Sequence, residues 1–175
     1  MQFSDDSTQS KLILLFVFDK MEVPLSESTI VDMCCSTNNW INQLECKPLL
    51  SQLIDAGFLF NISGAHTETL YTITSEGRLC LAHFFIRIPS SLREQISEFI
   101  KNNRTKYRRK QEYTADYRKN ADNSYTVALK IIEPQQPVLE IKLNVPSRQS
   151  AKWINKQWEE KAAAVYAALY DMLVD

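Results

Sequence analysis

The sequence predicts an α+β protein built from two dissimilar halves. Three observations predict it. Through most of the N-terminal half, apolar residues recur at helical spacing. From Tyr113 to Val145 they alternate with polar residues at period two. From Ala151 to Met172 they return to steps of three and four. With 175 residues, 45% apolar and 23% charged, the chain is long enough for two small packed domains.

Residues 8–21 form a helix capped by Ser7 or Thr8, with Leu12, Leu15 and Phe16 on its apolar face and Asp19 as a polar break. Val23-Pro24-Leu25 is extended, because a residue before proline avoids the helical region. Ser26, with Glu27 in the first turn and Thr29 three residues on, starts a second helix. Its buried stripe is Ile30, Met33 and Cys34. Asn38 and Asn39 turn the chain. A third helix covers residues 44–56, with Cys46, Leu50 and Leu53 on one face and Gly57 just past its end. Pro48 is accommodated by a place in its first turn, where the missing N–H has no partner to lose.

Residues 58–62 and 70–73 form a hairpin around Ser63-Gly64-Ala65, with Gly64 supplying a positive φ. Thr74 or Ser75 caps a fourth helix to residue 86, and Pro89 ends it. Ser90 or Ser91 caps a fifth, to residue 107. Beyond it, Tyr113, Ala115 and Tyr117, then Tyr125, Val127, Leu129 and Ile131, then, after Pro134 and Pro137, Leu139, Ile141, Leu143 and Val145 mark three strands. Short connections make them an antiparallel meander with one buried face. The final helix covers that face with Ala151, Ile154, Trp158, Ala162, Val165, Leu169 and Met172. The domains are therefore 1–88, a bridging helix and basic segment over 89–110, and the meander with its helix over 111–175.

The order helix, helix, helix, hairpin, helix is that of a winged helix-turn-helix. Two stretches carry a closer likeness: Leu50-x-x-Leu53-x-x-Ala56-Gly57-Phe58-Leu59, and Tyr71-Thr72-Ile73-Thr74-Ser75-Glu76-Gly77. They resemble winged-helix transcriptional regulators of the PadR, ArsR and MarR families. Over nearly the whole chain the sequence resembles the bacterial family DUF4364, a domain of unknown function. The matching residues are Leu12-Ile13-Leu14-Leu15 with Asp19-Lys20-Met21, Pro24-Leu25-Ser26, Ile88-Pro89, Thr114-Ala115-Asp116-Tyr117 and Leu143-Asn144-Val145-Pro146. That resemblance implies a winged-helix half joined to a half with no assigned activity.

The third helix of a winged helix enters the major groove, and the wing reaches neighbouring phosphates. Candidate DNA contacts are Lys47, Ser51 and Gln52 on that helix, and Ser63, His66 and Thr67 on the wing. A basic patch adds Arg104, Lys106, Arg108, Arg109 and Lys110, with Lys101 and Tyr107 nearby. The charge balance opposes this use. Residues 1–89 carry five basic and ten acidic side chains, net −5, and the remainder fifteen and eleven, net +4. Glu45 and Asp55 lie on the third helix itself, and residues 63–69 hold no Lys or Arg. Phosphate contacts supply most non-specific affinity. The expected function is a transcriptional regulator that binds double-stranded DNA as a homodimer. The competing expectation is a winged helix used for protein–protein contact through its acidic half. A third is a sensor holding an apolar molecule between meander and last helix.

Several chemistries are not expected. The only glycines are Gly57, Gly64 and Gly77, too few for a phosphate-cradling loop. His66 and His83 lack metal-ligand spacing, and no nucleophile motif is present. Cys34, Cys35, Cys46 and Cys80 fit no C-x-x-C pattern and read as reduced, mostly buried thiols, with a thiol-based redox sensor as the alternative. The chain reads as a non-enzyme without cofactor or metal. Asp5 and Asp6 stand where a signal peptide would be basic, and the apolar run at 12–18 is too short to span a bilayer. A cytoplasmic protein without a membrane partner is expected.

Overall fold

The computed structural model describes residues 3–62, 69–133 and 136–174. The elements are α1 (Phe3–Met21), β1 (Leu25–Ser26), α2 (Glu27–Val31) continuing into a π-helical turn at Asp32–Thr37, and α3 (Gln43–Asp55). They continue as β2 (Leu59–Ile62), β3 (Leu70–Ile73), α4 (Ser75–Phe84) with a 3-10 turn at Phe85–Arg87, and α5 (Ser90–Glu112). The last are β4 (Tyr113–Lys119), β5 (Tyr125–Glu133), β6 (Gln136–Val145) and α6 (Arg148–Val174). The chain divides into two units, Met1–Thr105 and Lys106–Asp175, and the division falls inside α5.

The first unit is organised around α1. No residue from Leu12 to Phe18 is more than 3% exposed. A helix apolar on every side must be enclosed on every side, and α3, α4 and β3 pack around this one. It begins before the expected cap, so Ser7 and Thr8 lie inside it, half-buried. Two-residue β1 pairs with β3 (Leu25 opposite Tyr71), and β2 pairs with the other edge of β3 (Leu59 opposite Ile73), giving the antiparallel order β1-β3-β2. Ser26 caps α2 as expected: its Oγ accepts from the Thr29 amide at 3.2 Å.

Helix α3 starts at Gln43, where the Asn42 side chain accepts from the Leu44 amide at 2.9 Å. Pro48 therefore sits in the second turn, not the first. It forgoes a bond to the Leu44 carbonyl, at the exposed start of the helix where water can replace it. The helix ends in a Schellman arrangement: Phe58 N donates to Leu53 O and Gly57 N to Ile54 O, both at 2.9 Å, with Gly57 at φ +73°.

The start of β2 and the start of α4 meet in one corner. Thr74 N donates to Phe58 O at 3.0 Å, and Thr74 Oγ1 donates to Gly57 O at 2.7 Å. The same Oγ1 caps α4 by accepting from Gly77 N at 3.0 Å. A Cβ on Gly77 would collide with the Phe58 carbonyl oxygen and lie 2.9 Å from Ile73 Cγ1. Helix α4 stops at Phe84 instead of residue 86, and the chain tightens into the 3-10 turn. Helix α5 passes the expected end near Tyr107 and runs to Glu112. Its Lys, Arg, Gln and Glu residues are good helix formers, and an Arg108–Glu112 pair one turn apart, at 2.5 Å, supports its end.

The second unit is the antiparallel sheet β4-β5-β6 covered on one face by α6. Val127, Leu129 and Ile131 pack with Ala151, Trp158 and Ala162 in its core. Trp158 Nε1 donates to Lys130 O at 3.0 Å and Asn155 Nδ2 to Ala115 O at 2.8 Å, fixing the helix on the sheet. Ser147 Oγ accepts from Ser150 N at 3.1 Å where α6 begins. Pro137 lies within β6, opposite Ile132 just past an irregularity in register. An edge strand tolerates the lost donor. The sheet-facing stripe of α6 ends sooner than expected: Met172 is 81% exposed.

Replacing Gly77 with Ala is expected to destabilise the fold by about 1–3 kcal/mol through forced displacement of the Phe58 backbone just before β2. Thr74→Ala is expected to cost about 1 kcal/mol through the lost cap. Urea unfolding of both variants measures this.

Candidate nucleic-acid interface

Helix α3 is divided cleanly. Cys46, Leu49, Leu50 and Leu53 are buried. Leu44, Lys47, Pro48, Ser51, Gln52 and Asp55 are exposed. The three candidates Lys47, Ser51 and Gln52 thus share one outward face, at steps of four and one. The steps follow from the inward stripe, which α1 holds in place.

The electrostatics of that face are mixed. Lys47 Nζ lies 3.2 Å from Glu27 Oε1, at the first residue of α2. Exposed pairs of this kind are worth roughly 0–1 kcal/mol, so the pair barely stabilises the fold but offsets the charge of the one basic residue on α3. Beside it is an open cleft of about 740 Å³, lined by Glu27 and Asp32, by Gln43 and Lys47 of α3, and by Tyr71 of β3. The acidic members make the cleft inhospitable to a phosphate and suited to a cation. The wing candidates Ser63, His66 and Thr67 lie outside the described residues.

The basic segment is divided among three settings. Arg104 belongs to the first unit and pairs with Glu22 at 2.5 Å. Arg108 is held by Glu112, whose hydrogen bond and charge push its pKa further up and keep it cationic. Lys106, Arg109 and Lys110 are exposed and share one side of α5 by their spacing. Lys110 Nζ sits 5.6 Å from the centroid of the Tyr107 ring. The predicted run is therefore one face of three cations plus two paired arginines. The Arg104–Glu22 pair spans 82 positions, and no local pattern could have revealed it.

Sequence reasoning missed the π-helical turn. Adjacent Cys34 and Cys35 lie in it, both buried. Burial raises the pKa of both thiols. The Cys46 thiol, hydrogen-bonded to Cys35, is pushed up to about 12, by burial first and then by neighbouring Cys35. These are protonated packing groups at neutral pH. Among the described residues, no group of three or more His, Cys, Asp or Glu is placed to hold a metal. The space between sheet and α6 is occupied by Val127, Leu129, Ile131 and Trp158.

The family model described as Domain of unknown function (DUF4364) matches residues 10–173. No curated protein and no solved structure matches the chain. Among the described residues, no helix is long and apolar enough to cross a membrane.

Cys34 and Cys46 are expected to resist alkylation in the native protein at pH 7.5, with partly exposed Cys80 reacting first, as followed by mass spectrometry over time. The folded Cys46 pKa of about 12 lies above its ordinary 9.0. Its protonated form therefore supports the fold fully below pH 9, and that support is lost as pH rises from 9 towards 12. Urea midpoints in the alkaline range should fall accordingly, and less so in Cys46→Ala.

Proposed function

The chain belongs to the DUF4364 family, and we propose that it is a winged helix-turn-helix regulator that binds double-stranded DNA through α3, acting as a homodimer in the cytoplasm. The observation that carries this reading is the topology of the first unit. Strand β1 leaves α1, the pair α2–α3 follows, and the chain returns through β2 and β3 to give the order β1-β3-β2. Helix α3 is held by its apolar stripe, and its other side, with Ser51 and Gln52, is open. A Gln amide suits the paired donor and acceptor of adenine in the major groove, and exposed Leu44 suits a thymine methyl. Lys106, Arg109 and Lys110 on α5 offer phosphate contacts.

A second reading is favoured by the Lys47–Glu27 pair and the acidic cleft beside it. On that reading the winged helix docks a basic protein partner. It follows from the net −5 of residues 1–89.

Fluorescence anisotropy with duplex DNA at low and moderate salt separates the two. Binding should weaken with salt, and Lys106→Glu/Arg109→Glu should lose at least about tenfold in affinity and flatten the salt slope by roughly one unit per lost phosphate contact. Gln52→Ala should reduce discrimination between sequences while leaving the salt slope unchanged. Absence of binding at low salt would refute the DNA reading and leave the protein-partner reading.

A further inference from the structure

The solvent side of α6 carries a second ridge that the fold of one chain leaves uncovered. Lys152, Lys156, Glu159, Ala163, Tyr166, Tyr170 and Val174 follow one another at steps of four and three, on a different side from the sheet-facing stripe. Its C-terminal part is apolar and open: Tyr166 is 41% exposed, Tyr170 55% and Val174 64%, with Leu173 beside them at 81%. The rings of Tyr166 and Tyr170 lie 6.3 Å apart, one turn from each other. A contiguous exposed patch of this kind marks an interaction surface.

The charges of α6 identify what fits it. Acidic residues favour a helix N-terminus and basic ones a C-terminus. Helix α6 is the reverse, with no acidic residue in its first turn and no basic residue in its last. Its N-terminal half carries Arg148, Lys152, Lys156 and Lys161 against Glu159 and Glu160, which leaves it basic, and its end carries Asp171. An antiparallel copy of the same helix corrects both ends at once. We propose that the protein pairs with a second copy of itself through this ridge, the two α6 helices running antiparallel and crossing near Ala163. In that register Tyr170 meets Lys156 of the second copy, an arrangement of cation over ring. Val174 lies along the aliphatic stem of Lys152 of the second copy. Tyr166 faces Glu160, and Asp171 lies within reach of Lys156. Ala163 lets the backbones approach at the crossing. The surface is self-complementary, as a two-fold contact requires. The pairing is independent of DNA binding and is measured without nucleic acid.

Sedimentation velocity of the full chain tests it. Wild type is expected to run at twice the 20.2 kDa chain mass. Tyr166→Glu/Tyr170→Glu is expected to run as a monomer with an unchanged circular dichroism spectrum. Lys156→Glu alone is expected to weaken dimerisation at least about tenfold, and adding Asp171→Lys to recover part of that loss. In a Cys80→Ser background, Ala163→Cys is expected to be joined to a second copy by a short bismaleimide, and Ala168→Cys on the far side of the helix is not. A monomeric wild type at tens of micromolar overturns the proposal. So does a dimer that survives Lys156→Glu unweakened, or one that Ala163→Cys fails to cross-link.

Discussion

The enclosure of α1 is the constraint on which the first unit depends. A helix whose residues from Leu12 to Phe18 are all buried has no side to give to water. Each such side chain contributes roughly 1.5–3 kcal/mol when removed from solvent, set against the entropy of ordering the chain. The gain is collected only if neighbours close every side. Phe85 closes one, edge-on to Phe16 with centroids 5.4 Å apart. At the rim, Arg78 donates to Asp19 at 3.1 Å, and Lys20 lies 5.6 Å from the centre of the Phe16 ring. Helix α3 closes another. Its orientation is then set by what α1 requires, not by its own propensity. The outward position of Ser51 and Gln52 follows from the inward position of Leu50 and Leu53.

The second unit solves a simpler problem. A three-stranded sheet needs cover on one face only, and α6 provides it. Register matters more here than enclosure, because a slip by one residue would exchange the two faces of a strand. With Val127 opposite Tyr117 and Leu143, and Leu129 opposite Ala115 and Ile141, these alternating residues of the three strands share one face. Thr126, bonded to Asn144 at 2.8 Å, and Lys142, 3.3 Å from Glu140, occupy the other. The hydrogen bonds from Trp158 and Asn155 to strand carbonyls then fix the helix along the sheet.

What the sequence disclosed and what it hid divide along physical lines. Periodicity is local, so the long strands and most of the stripe of α6 were legible, while exposed Leu143 and Met172 show that the pattern alone does not say where the cover stops. Caps are local too, and Ser26 and Thr74 act as read. Strand β1 is two residues long and cannot display alternation, although Pro24 marked the chain there as extended. The start of α3 was legible to within one residue, 44 against Gln43, but Pro48 falls in the second turn, where it removes a backbone donor. The extension of α5 past Tyr107 was hidden because the basic run beyond it carries no apolar stripe to mark a helix. The outward face of α3 was predictable as a set of residues, since it is the complement of an apolar stripe. The pairing of Lys47 with Glu27 was not, because it joins two helices whose approach depends on α1.

Those pairings bear directly on how the outward face can act. An anion approaching α3 meets Lys47 already shared with Glu27 and finds Glu45 and Asp55 on the same helix. The Coulomb term of a single copy is therefore weak and quickly screened at physiological salt. On the proposed DNA reading, contacts from Ser51 and Gln52 to base edges would supply discrimination but little attraction. Affinity for a polyanion must then come from charge outside α3 and from engaging more than one site at a time. Two linked sites convert the second contact into an intramolecular event, which raises overall affinity without a new contact at either site. On the proposed DNA reading, this charge pattern requires an assembly of more than one copy. The exposed tyrosines of α6 and the acidity of α3 are for that reason parts of one physical problem, although they lie in different units of the chain.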